Sequence, residues 1–381
     1  MKILILTPYD YEFSAIVIQA RILEKGLKEL DHEVYCLYEG FGLSKKIIYE
    51  SVKPDVIIGI GFWGDTPKLI TGPMNKGFKV VPWFNADGWV ANYHDILNTL
   101  PLIAVTSNWV KSTYERDGVN PNNIYPVHIG FDSNLFKPIP HNNLQVAKVR
   151  EILGIKENEK MILTIGGDVT TKGAQEMFKA LTILNPQFQN WKYVCKSWPS
   201  GTTEDWHKAE SQMIKDLGIQ DKVIFHNEII HHDFMPYLLN ACDIYAAPSR
   251  IEGFGMIQLE AEACGKPVIS INVGGPRDTI VNGKTGFLVD VEHEVKLDRE
   301  WVTPAMGFNE KKLIEFPIPK TFTYKANIDQ LAEYTLRLLT NDSLREQMGK
   351  VAAEHALKNF HYKKTAKDMI DLIEAKLNAK I

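Results

Sequence analysis

The chain has 381 residues, of which 45% are hydrophobic and 24% charged, and a formal net charge of −4. This length exceeds what one hydrophobic core usually organises, so two domains are expected. The isoelectric point near 6.3 argues against a protein that binds nucleic acid through phosphate contacts. The four cysteines are far apart, which indicates neither a disulfide framework nor a zinc site.

The start of the chain, MKILILTPYD, has too short an apolar core for a signal peptide. No apolar run reaches the roughly 18 residues that a membrane-spanning helix needs. A reducing cytoplasm is therefore the predicted setting, and loose attachment to a membrane surface stays open.

The first elements form a predicted βαβ unit, with a strand from Lys2 to Leu6, a helix from Ser14 to Leu30 and a strand from Glu33 to Leu37. The loop between the first strand and the helix contains no glycine. Since the dinucleotide fingerprint needs glycines at this turn, the sequence argues against an NAD-dependent enzyme.

Two further strands, Pro54 to Ile60 and Val80 to Phe84, run into loops that mix aromatic with short polar residues. These loops are 61–65 and 85–89. Ligands of open α/β sheets bind beyond the carboxyl ends of strands, and sugars are held by aromatic faces and short polar groups. The loops are therefore candidate cleft walls, although the aromatics could equally fill a packing interface.

A strand from Leu102 to Thr106 and a helix capped by Ser107 complete the predicted first domain, residues 1–140. The segment from Pro138 to Gln145, PIPHNNLQ, is the predicted linker because its prolines and asparagines oppose regular structure. The predicted second domain spans residues 150–358.

The second domain opens with a predicted strand from Lys160 to Ile165, followed by Gly166-Gly167-Asp168-Val169-Thr170-Thr171-Lys172-Gly173 and a helix through Leu184. Glycines after a strand and a lysine at the start of a helix predict a phosphate site, with Lys172 as a point charge on a diphosphate. The spacing is not that of a Walker loop.

Strands are also predicted from Trp191 to Lys196 and from Val223 to His226. The following His231-His232-Asp233 invites a metal interpretation. Adjacent residues before a helix rarely bind one ion together, so a helix cap at Asp233 is predicted instead.

The segment from Pro248 to Asp290 begins with a strand end, a turn from Glu252 to Gly255 and a helix from Met256 to Cys264, and then a strand from Val268 to Ile271. A helix entered through glycines presents unpaired N–H groups that favour a diphosphate. Glu260 follows Glu252 by eight residues, which is about 12 Å along a helix axis. Gly274-Gly275 is predicted to admit a ligand against bare backbone.

This segment resembles the signature of retaining glycosyltransferases of group 1 (family 4), which have the GT-B fold and use nucleotide-activated sugars. Glu252 and Glu260 match the E-x7-E motif of that class, and PVISINVGGPRDTIVNGKTGFLV agrees with it nearly position by position. The resemblance implies an α/β protein of two Rossmann-like domains facing each other across a cleft, with the donor bound mainly by the second.

The resemblance also implies roles for individual residues. Lys172 and the N–H groups of Gly255 and Met256 stabilise the leaving diphosphate, Glu252 positions the sugar hydroxyls, and Glu260 accepts bonds from the ribose. The base lies near the end of the Val223 strand. The implied donor site consists of Gly166, Gly167, Lys172, His226, Asn227, Glu252, Gly253, Phe254, Gly255, Met256 and Glu260.

The chain departs from the class in three places. The first loop lacks the usual Gly-Gly pair, and Gly167-Asp168 stand where an arginine is expected to hold the diphosphate. Either Lys172 and the helix dipoles suffice, or Lys196 or Arg250 substitutes. The usual histidine near Asn85 is also missing, so Asp87 is the predicted polar group facing the transferred sugar or the acceptor. The predicted catalytic residues are Lys172, Glu252 and Asp87.

Beyond Asp290 the match loosens. The charged and proline-containing segment 291–322 is predicted to be an insertion of the second domain near the cleft rim. Three amphipathic helices follow, and the resemblance implies that residues 359–381 cross back onto the first domain.

The predicted function is that of a retaining hexosyltransferase that moves a sugar from a UDP- or GDP-linked donor to a saccharide, glycan or lipid. No cofactor, metal or nucleic acid is expected. Two alternatives stay open, a GT-B sugar-nucleotide epimerase and a non-catalytic sugar-nucleotide-binding protein. The acceptor, the linkage and the oligomeric state are not encoded in these motifs.

Overall fold

The structure is a computed structural model that describes residues 1–11, 14–86, 88–198 and 201–377. The chain divides into two compact units. The first consists of Met1–Asp132, Lys296–Thr321 and Asn359–Ile381, and the second of Ser133–Val295 and Phe322–Lys358. The predicted linker belongs to the second unit, where the Asn240 side chain accepts a hydrogen bond from the backbone of Ile139 at 2.8 Å.

The first unit is built on a six-stranded parallel sheet with the order β2-β1-β3-β4-β5-β6. Its strands are β1 (Lys2–Thr7), β2 (Glu33–Tyr38), β3 (Val56–Phe62), β4 (Val80–Asn85), β5 (Ile103–Val105) and β6 (Ile124–Pro126). Among the described residues, the α-helices between Met1 and Asp132 are α1 (Ala15–Lys28), α2 (Gly42–Ile47), α3 (Gly72–Met74), α4 (His94–Thr99) and α5 (Asn108–Arg116). The central strands are apolar runs because the sheet buries both of their faces.

The C-terminal helix α14 (Tyr362–Lys376) packs on α1 of the same unit. Contact is close at Gly26, where a methyl group would lie 2.6 Å from Cβ of Ala366. The Tyr362 hydroxyl donates to Glu29 at 2.9 Å. Residues 359–377 are thus held in the first unit by a glycine contact and a hydrogen bond.

The second unit contains another six-stranded parallel sheet, with the order β12-β11-β10-β7-β8-β9. Its strands are β7 (Lys160–Ile165), β8 (Trp191–Ser197), β9 (Val223–Asn227), β10 (Ile244–Ala247), β11 (Val268–Ile271) and β12 (Gly286–Val289). Its helices are α6 (Leu144–Ile152), α7 (Ala174–Leu184), α8 (Gly201–Asp216), α9 (Met235–Ala241), α10 (Met256–Ala263), α11 (Pro276–Thr279), α12 (Ile328–Thr340) and α13 (Asp342–Asn359). The predicted strand and helix order is present, and helix α8 is not among the predicted elements.

The segment predicted as an insertion forms a two-stranded sheet of β13 (Val291–Val302) and β14 (Lys312–Ala326). Its residues 296–321 belong to the first unit rather than to the second. The Lys320 ammonium lies 2.7 Å from Oδ1 of Asp117, and the rings of Phe316 and Trp89 are 5.4 Å apart. Ion pairing and aromatic packing therefore hold residues 296–321 in the first unit.

No helix in the described part of the chain is both long enough and apolar enough to cross a membrane.

Candidate functional site

The predicted donor residues lie at the carboxyl edge of the second sheet. Strands β7 and β10 are neighbours in that sheet and point the same way, so the loops that follow them meet. These are residues 166–173, here called the lysine loop, and residues 248–255, here called the glutamate turn. The backbone N–H of Arg250 donates to the carbonyl of Thr171 at 2.8 Å, which joins the two segments directly.

The two predicted catalytic residues of this unit form an ion pair. Nζ of Lys172 lies 2.7 Å from Oε2 of Glu252, and the Ser249 hydroxyl donates to the same oxygen at 3.3 Å. The side chains of Lys172 and Glu252 are 25% and 15% exposed, so a ligand can reach them. A cation and a carboxylate thus meet beside the start of α10.

Glycines allow the lysine loop to come this close. A methyl group on Gly166 would lie 2.6 Å from Cγ of Lys172, so the lysine stem passes over bare backbone. Gly173 has φ +85°, and a methyl group there would lie 2.3 Å from the Pro248 carbonyl oxygen. The glycines that predicted a phosphate site therefore serve the packing of the two segments as well.

A hydrogen bond to helix α8 also anchors the lysine loop. The Thr170 hydroxyl donates to the Glu210 carboxyl group, which is 2% exposed. Burial raises the pKa of Glu210 to about 7. The anchor is a carboxyl group whose charge changes near neutral pH, and no local sequence pattern indicates it.

Helix α10 begins after Gly255, which has φ +95°. This is the left-handed conformation that favours glycine. The N-terminal N–H groups of α10 follow immediately, as the glycine-turn-helix pattern predicted.

Gly274 and Gly275 pack closely against the glutamate turn. A methyl group on Gly275 would lie 2.3 Å from Cα of Phe254, and one on Gly274 would lie 2.5 Å from the carbonyl oxygen of Glu252. The Gly275 N–H donates to that carbonyl at 2.9 Å. Their bare backbone faces the glutamate turn and holds it in place.

The second glutamate of the motif is buried and paired. Glu260 is 4% exposed, and its Oε1 lies 3.2 Å from Nε2 of His232. The His232 ring packs edge-on against Phe136, with centroids 5.2 Å apart. The sequence does not indicate this partner, because its His-His-Asp segment suggests only a metal site or a helix cap.

The predicted helix cap at Asp233 is wrong, because the capping residue is His231. His231 precedes the short helix His232–Phe234, and its ring nitrogen accepts from the Asp233 N–H at 3.3 Å. Among the described residues, no group of three or more His, Cys, Asp or Glu side chains could hold a metal ion.

The two cations named as substitutes for the missing arginine differ in their surroundings. Arg250 is paired with Glu176, with 3.0 Å between Nη2 of Arg250 and Oε1 of Glu176, and it also donates to Gln175. Lys196 is 2% exposed and places Nζ 4.5 Å from the ring centroid of Trp198. Burial lowers the pKa of Lys196 to about 8.

His226 and Asn227 end strand β9, which is separated from β7 by β8. The hydroxyl of Ser197 donates to Oδ1 of Asn227. The His226 ring lies 3.7 Å from Oε2 of Glu228. Both residues are at the predicted edge of the sheet, but two strands away from the Lys172–Glu252 pair.

The aromatic loops of the first unit are packed rather than exposed. Trp63 and Trp89 are 5% and 6% exposed, and their rings meet edge to face at 5.9 Å. Asp65 accepts from the Phe62 N–H at 2.9 Å, and burial raises its pKa. The expectation of tryptophans exposed to a sugar is wrong, and their packing alternative applies. Asp87 lies outside the described residues.

Comparison with known families gives an independent result for the second unit. Residues 145–299 match the family model described as glycosyl transferases group 1. Every predicted donor residue lies within this match. The resemblance recognised in the sequence is confirmed for the segment that carries the site.

Curated relatives include the D-inositol 3-phosphate glycosyltransferases of Thermobispora bispora and Corynebacterium glutamicum. They are 28% and 29% identical to this chain over 193 and 201 residues. These matches cover 50% and 51% of this chain, and 44% and 46% of the relatives. The match thus spans less than half the length of these relatives.

Solved structures resemble nearly the whole chain. Anabaena HepE in complex with UDP and glucose has a TM-score of 0.74 at 17% identity, covering 98% of this chain and 100% of that chain. A glycosyltransferase from Rickettsia africae has a TM-score of 0.75 at 18% identity, covering 100% and 99%. Sucrose-phosphate synthase from Thermosynechococcus elongatus has a TM-score of 0.73 at 16% identity and full coverage of both chains. These likenesses concern the fold, and they confirm the expected α/β architecture of the GT-B type.

Proposed function

The chain carries a group 1 glycosyltransferase domain, and on that premise we propose that it transfers a sugar from a nucleoside-diphosphate sugar to an acceptor with retention at the anomeric carbon. The ion pair of Lys172 with Glu252 carries the proposal. It supplies a cation for the diphosphate and a carboxylate for the sugar hydroxyls at one place, beside the start of a helix.

In the proposed complex the donor separates this ion pair. The diphosphate takes the Lys172 ammonium, and the sugar hydroxyls donate to Glu252. The N–H groups of Gly255 and Met256 lie at the positive end of α10, where an anion is favoured. Lys172 thus exchanges one charged contact for another, and Glu252 exchanges its charged partner for hydroxyl donors, which limits the electrostatic cost of binding.

The chemical step requires the leaving group to be stabilised. As the bond between the anomeric carbon and the diphosphate oxygen breaks, negative charge grows on the diphosphate. Fixed positive groups that need no reorganisation oppose this charge and lower the barrier. Lys172 and the start of α10 have this role in the proposed mechanism, and Glu252 orients the sugar.

The nucleoside part of the donor is proposed to extend from Glu260 towards the ends of β8 and β9. The Glu260 carboxylate accepts hydrogen bonds from the ribose, and His226 and Asn227 contact the base. UDP is the first nucleotide to test because a protein of the same fold contains it in its solved structure. A GDP-linked donor is the second choice.

The reaction is proposed to need no metal ion, because Lys172 and the helix start already supply positive charge to the diphosphate. The acceptor is proposed to be a saccharide, a glycan or a lipid. Addition of EDTA should leave both nucleotide binding and turnover unchanged.

The experiment is thermal stabilisation of the protein by UDP-, GDP- and ADP-sugars, repeated with Lys172→Ala and Glu260→Ala. A ligand at a hundredfold excess over Kd stabilises the native state by about 2.7 kcal/mol. Nucleotide sugars with one of the three bases should stabilise the wild type but neither Lys172→Ala nor Glu260→Ala. Lys179→Ala is the matched control because Lys179 lies on the exposed face of α7.

Incubation of the stabilising donor alone and with acceptors then tests turnover. A transferase releases the nucleoside diphosphate slowly to water and faster when an acceptor is present, with the anomeric configuration kept. Formation of an epimerised sugar nucleotide would show that the protein is an epimerase and not a transferase. Absence of stabilisation by every nucleotide sugar would remove the donor assignment.

A further inference from the structure

We propose that Lys196 is a second cation of the donor site. Lys172 lies on one side of Gly166 and Gly167, and Lys196 acts on the diphosphate from the other side, at the end of β8. The inference rests on the proposed donor-binding function and adds a residue to it. It selects between the two cations that the sequence left open.

Backbone geometry places Lys196 beside the lysine loop. Lys196 pairs with Ile165 in the register of β7 and β8. Its carbonyl oxygen accepts from the N–H of Gly166 at 3.1 Å. Gly166, the first residue of the lysine loop, is therefore hydrogen-bonded to the backbone of Lys196.

The side chains around these glycines extend the same arrangement. A methyl group on Gly166 would lie 2.6 Å from Cγ of Lys172, and one on Gly167 would lie 3.0 Å from the Trp198 indole nitrogen. The indole in turn lies beneath Nζ of Lys196, 4.5 Å from the ring centroid. The glycines are thus flanked by Lys172 on one side and by Trp198 with Lys196 on the other.

The charge of Lys196 is uncommitted, in contrast to the other cations of this edge. Lys172 is paired with Glu252 and Arg250 with Glu176. Within the described residues, no carboxylate forms an ion pair with Lys196, although the residue is 2% exposed. Burying an uncompensated ammonium is costly, and a methionine of the same shape would avoid that cost. A lysine in such a place is explained by an anion that binds beside it.

The Trp198 ring provides a neutral resting place for the ammonium through a cation–π contact. In buried surroundings of low dielectric constant, a positive charge also attracts a nearby diphosphate without direct contact. Direct contact is therefore not needed for Lys196 to stabilise the bound donor or its leaving group.

Several titratable groups lie on the strands and loops around Lys196. His226 is its register partner on β9, and Tyr245 projects from the same face of the sheet. Glu210 anchors Thr170 from the opposite face, and Asp168 in the lysine loop accepts from the Thr170 N–H at 2.7 Å. Burial alone lowers the pKa of Lys196 to about 8.

A bound diphosphate favours the charged ammonium and so raises the pKa of Lys196 in the complex. Near pH 8 the free protein carries about half a proton at this position, and the complex carries a full one. Binding therefore takes up about half a proton at that pH. Affinity should be constant near pH 7 and fall as the pH rises from about 8 to 9.

The test is isothermal titration with UDP, GDP and ADP at about pH 8, in two buffers of different ionisation enthalpy. The phosphates are fully ionised there, since their second pKa is about 6. For the diphosphate that binds, the wild type should take up about half a proton. Lys196→Met should abolish this uptake and raise Kd about tenfold near pH 7.

Two controls isolate the lysine. Lys192→Met removes a lysine from the opposite end of the same strand, where its ammonium donates to the Asp221 carbonyl at 2.6 Å. This variant should keep the affinity and the proton uptake of the wild type. The nucleoside without phosphates should bind wild type and Lys196→Met equally, because it offers no charge to the lysine.

The outcomes separate this inference from the proposed function. If the wild type binds none of the three diphosphates, the donor site itself is wrong. If it binds one, but Lys196→Met keeps its affinity and proton uptake, Lys196 is a structural lysine and the inference fails. A wild-type Kd that stays constant from about pH 7 to 9 overturns it without any variant.

Discussion

Nζ of Lys172 lies 2.7 Å from Oε2 of Glu252, although the two residues are 80 positions apart in the chain. In the absence of donor, the cation proposed for the diphosphate thus neutralises the carboxylate proposed for the sugar. The Glu252 carboxylate thus occupies the Lys172 ammonium in the place of the proposed diphosphate.

This competition predicts different effects for the two partners. Lys172→Met should abolish stabilisation by UDP, since its diphosphate loses its cation. Glu252→Gln should leave UDP binding as tight as in the wild type or tighter, because the competing carboxylate is gone, but should lose the additional affinity for the sugar of a UDP-sugar. Titrations with UDP and UDP-glucose measure both.

The free protein should hardly respond to either change, because ion pairs at a partly exposed site contribute about 1 kcal/mol or less. Lys179→Met is the control for the removal of a lysine. Equal loss of UDP and UDP-glucose binding in Glu252→Gln would contradict the division of roles.

Glu260 is predicted to recognise the ribose. Wild-type protein should bind UDP about tenfold or more tightly than 2′,3′-dideoxy-UDP, because hydrogen bonds to a charged acceptor contribute about 1.5–3 kcal/mol. Glu260→Gln should reduce this preference to a few-fold by removing the charge while keeping the shape. Competition titrations with both ligands measure the ratio, and Glu333→Gln, on the exposed surface of α12, is the control. An equal weakening of both ligands would assign Glu260 to folding instead.

Gly275 is predicted to be structural. Gly275→Ala would place a methyl group 2.3 Å from Cα of Phe254, and backbone cannot yield as a flexible side chain does. The free energy of unfolding should fall by about 3 kcal/mol, with loss of nucleotide binding as the glutamate turn shifts. Gly42→Ala is the control, because nothing lies within 4 Å of its added methyl group. Urea denaturation compares the two, and matching midpoints would disprove the close packing.

Glu210 is predicted to make stability depend on pH. Its native pKa of about 7 lies above the ordinary value of 4.5, so the native state holds a proton that the unfolded chain has lost between these pH values. The free energy of unfolding therefore falls as pH rises through this window and stays lower above it.

Glu210→Gln keeps an acceptor for the Thr170 hydroxyl and removes the titration. The variant should match the wild type near pH 4 and exceed its stability near pH 8 by at most about 3 kcal/mol. Urea denaturation across this range measures the difference, and Glu157→Gln, an exposed glutamate of the same unit, should show none of it. A difference between Glu210→Gln and wild type that is independent of pH would refute the buried titration.

Much of the fold was predictable because its signals are local. Apolar runs such as Lys160–Ile165 are strands in the structure with the predicted bounds, and Gly255 starts a helix as predicted. The ribbon of β13 and β14 was not predicted, since its charges and its Pro317 and Pro319 obscure the pattern of a strand. The prolines are tolerated because a two-stranded sheet leaves one side of each strand unpaired.

The site was predictable where one segment contains the chemistry. The positions of Lys172, Glu252 and Glu260 follow from glycine turns and from an eight-residue spacing. The histidine that holds Glu260 was not predictable, because His232 reaches it from a segment 28 residues away.

Local sequence patterns specified the succession of strands, glycine turns and helices and the resemblance of residues 145–299 to group 1 glycosyl transferases, and they suggested a diphosphate site. Which charges are paired is set by the tertiary fold alone. It pairs Lys172 with Glu252 and Arg250 with Glu176, buries Lys196 beside Trp198, and packs Gly274 and Gly275 against the glutamate turn. The reason is physical: backbone preferences act over a few neighbouring residues, whereas ion pairing, burial and close contact depend on which distant segments the parallel sheet brings to one edge.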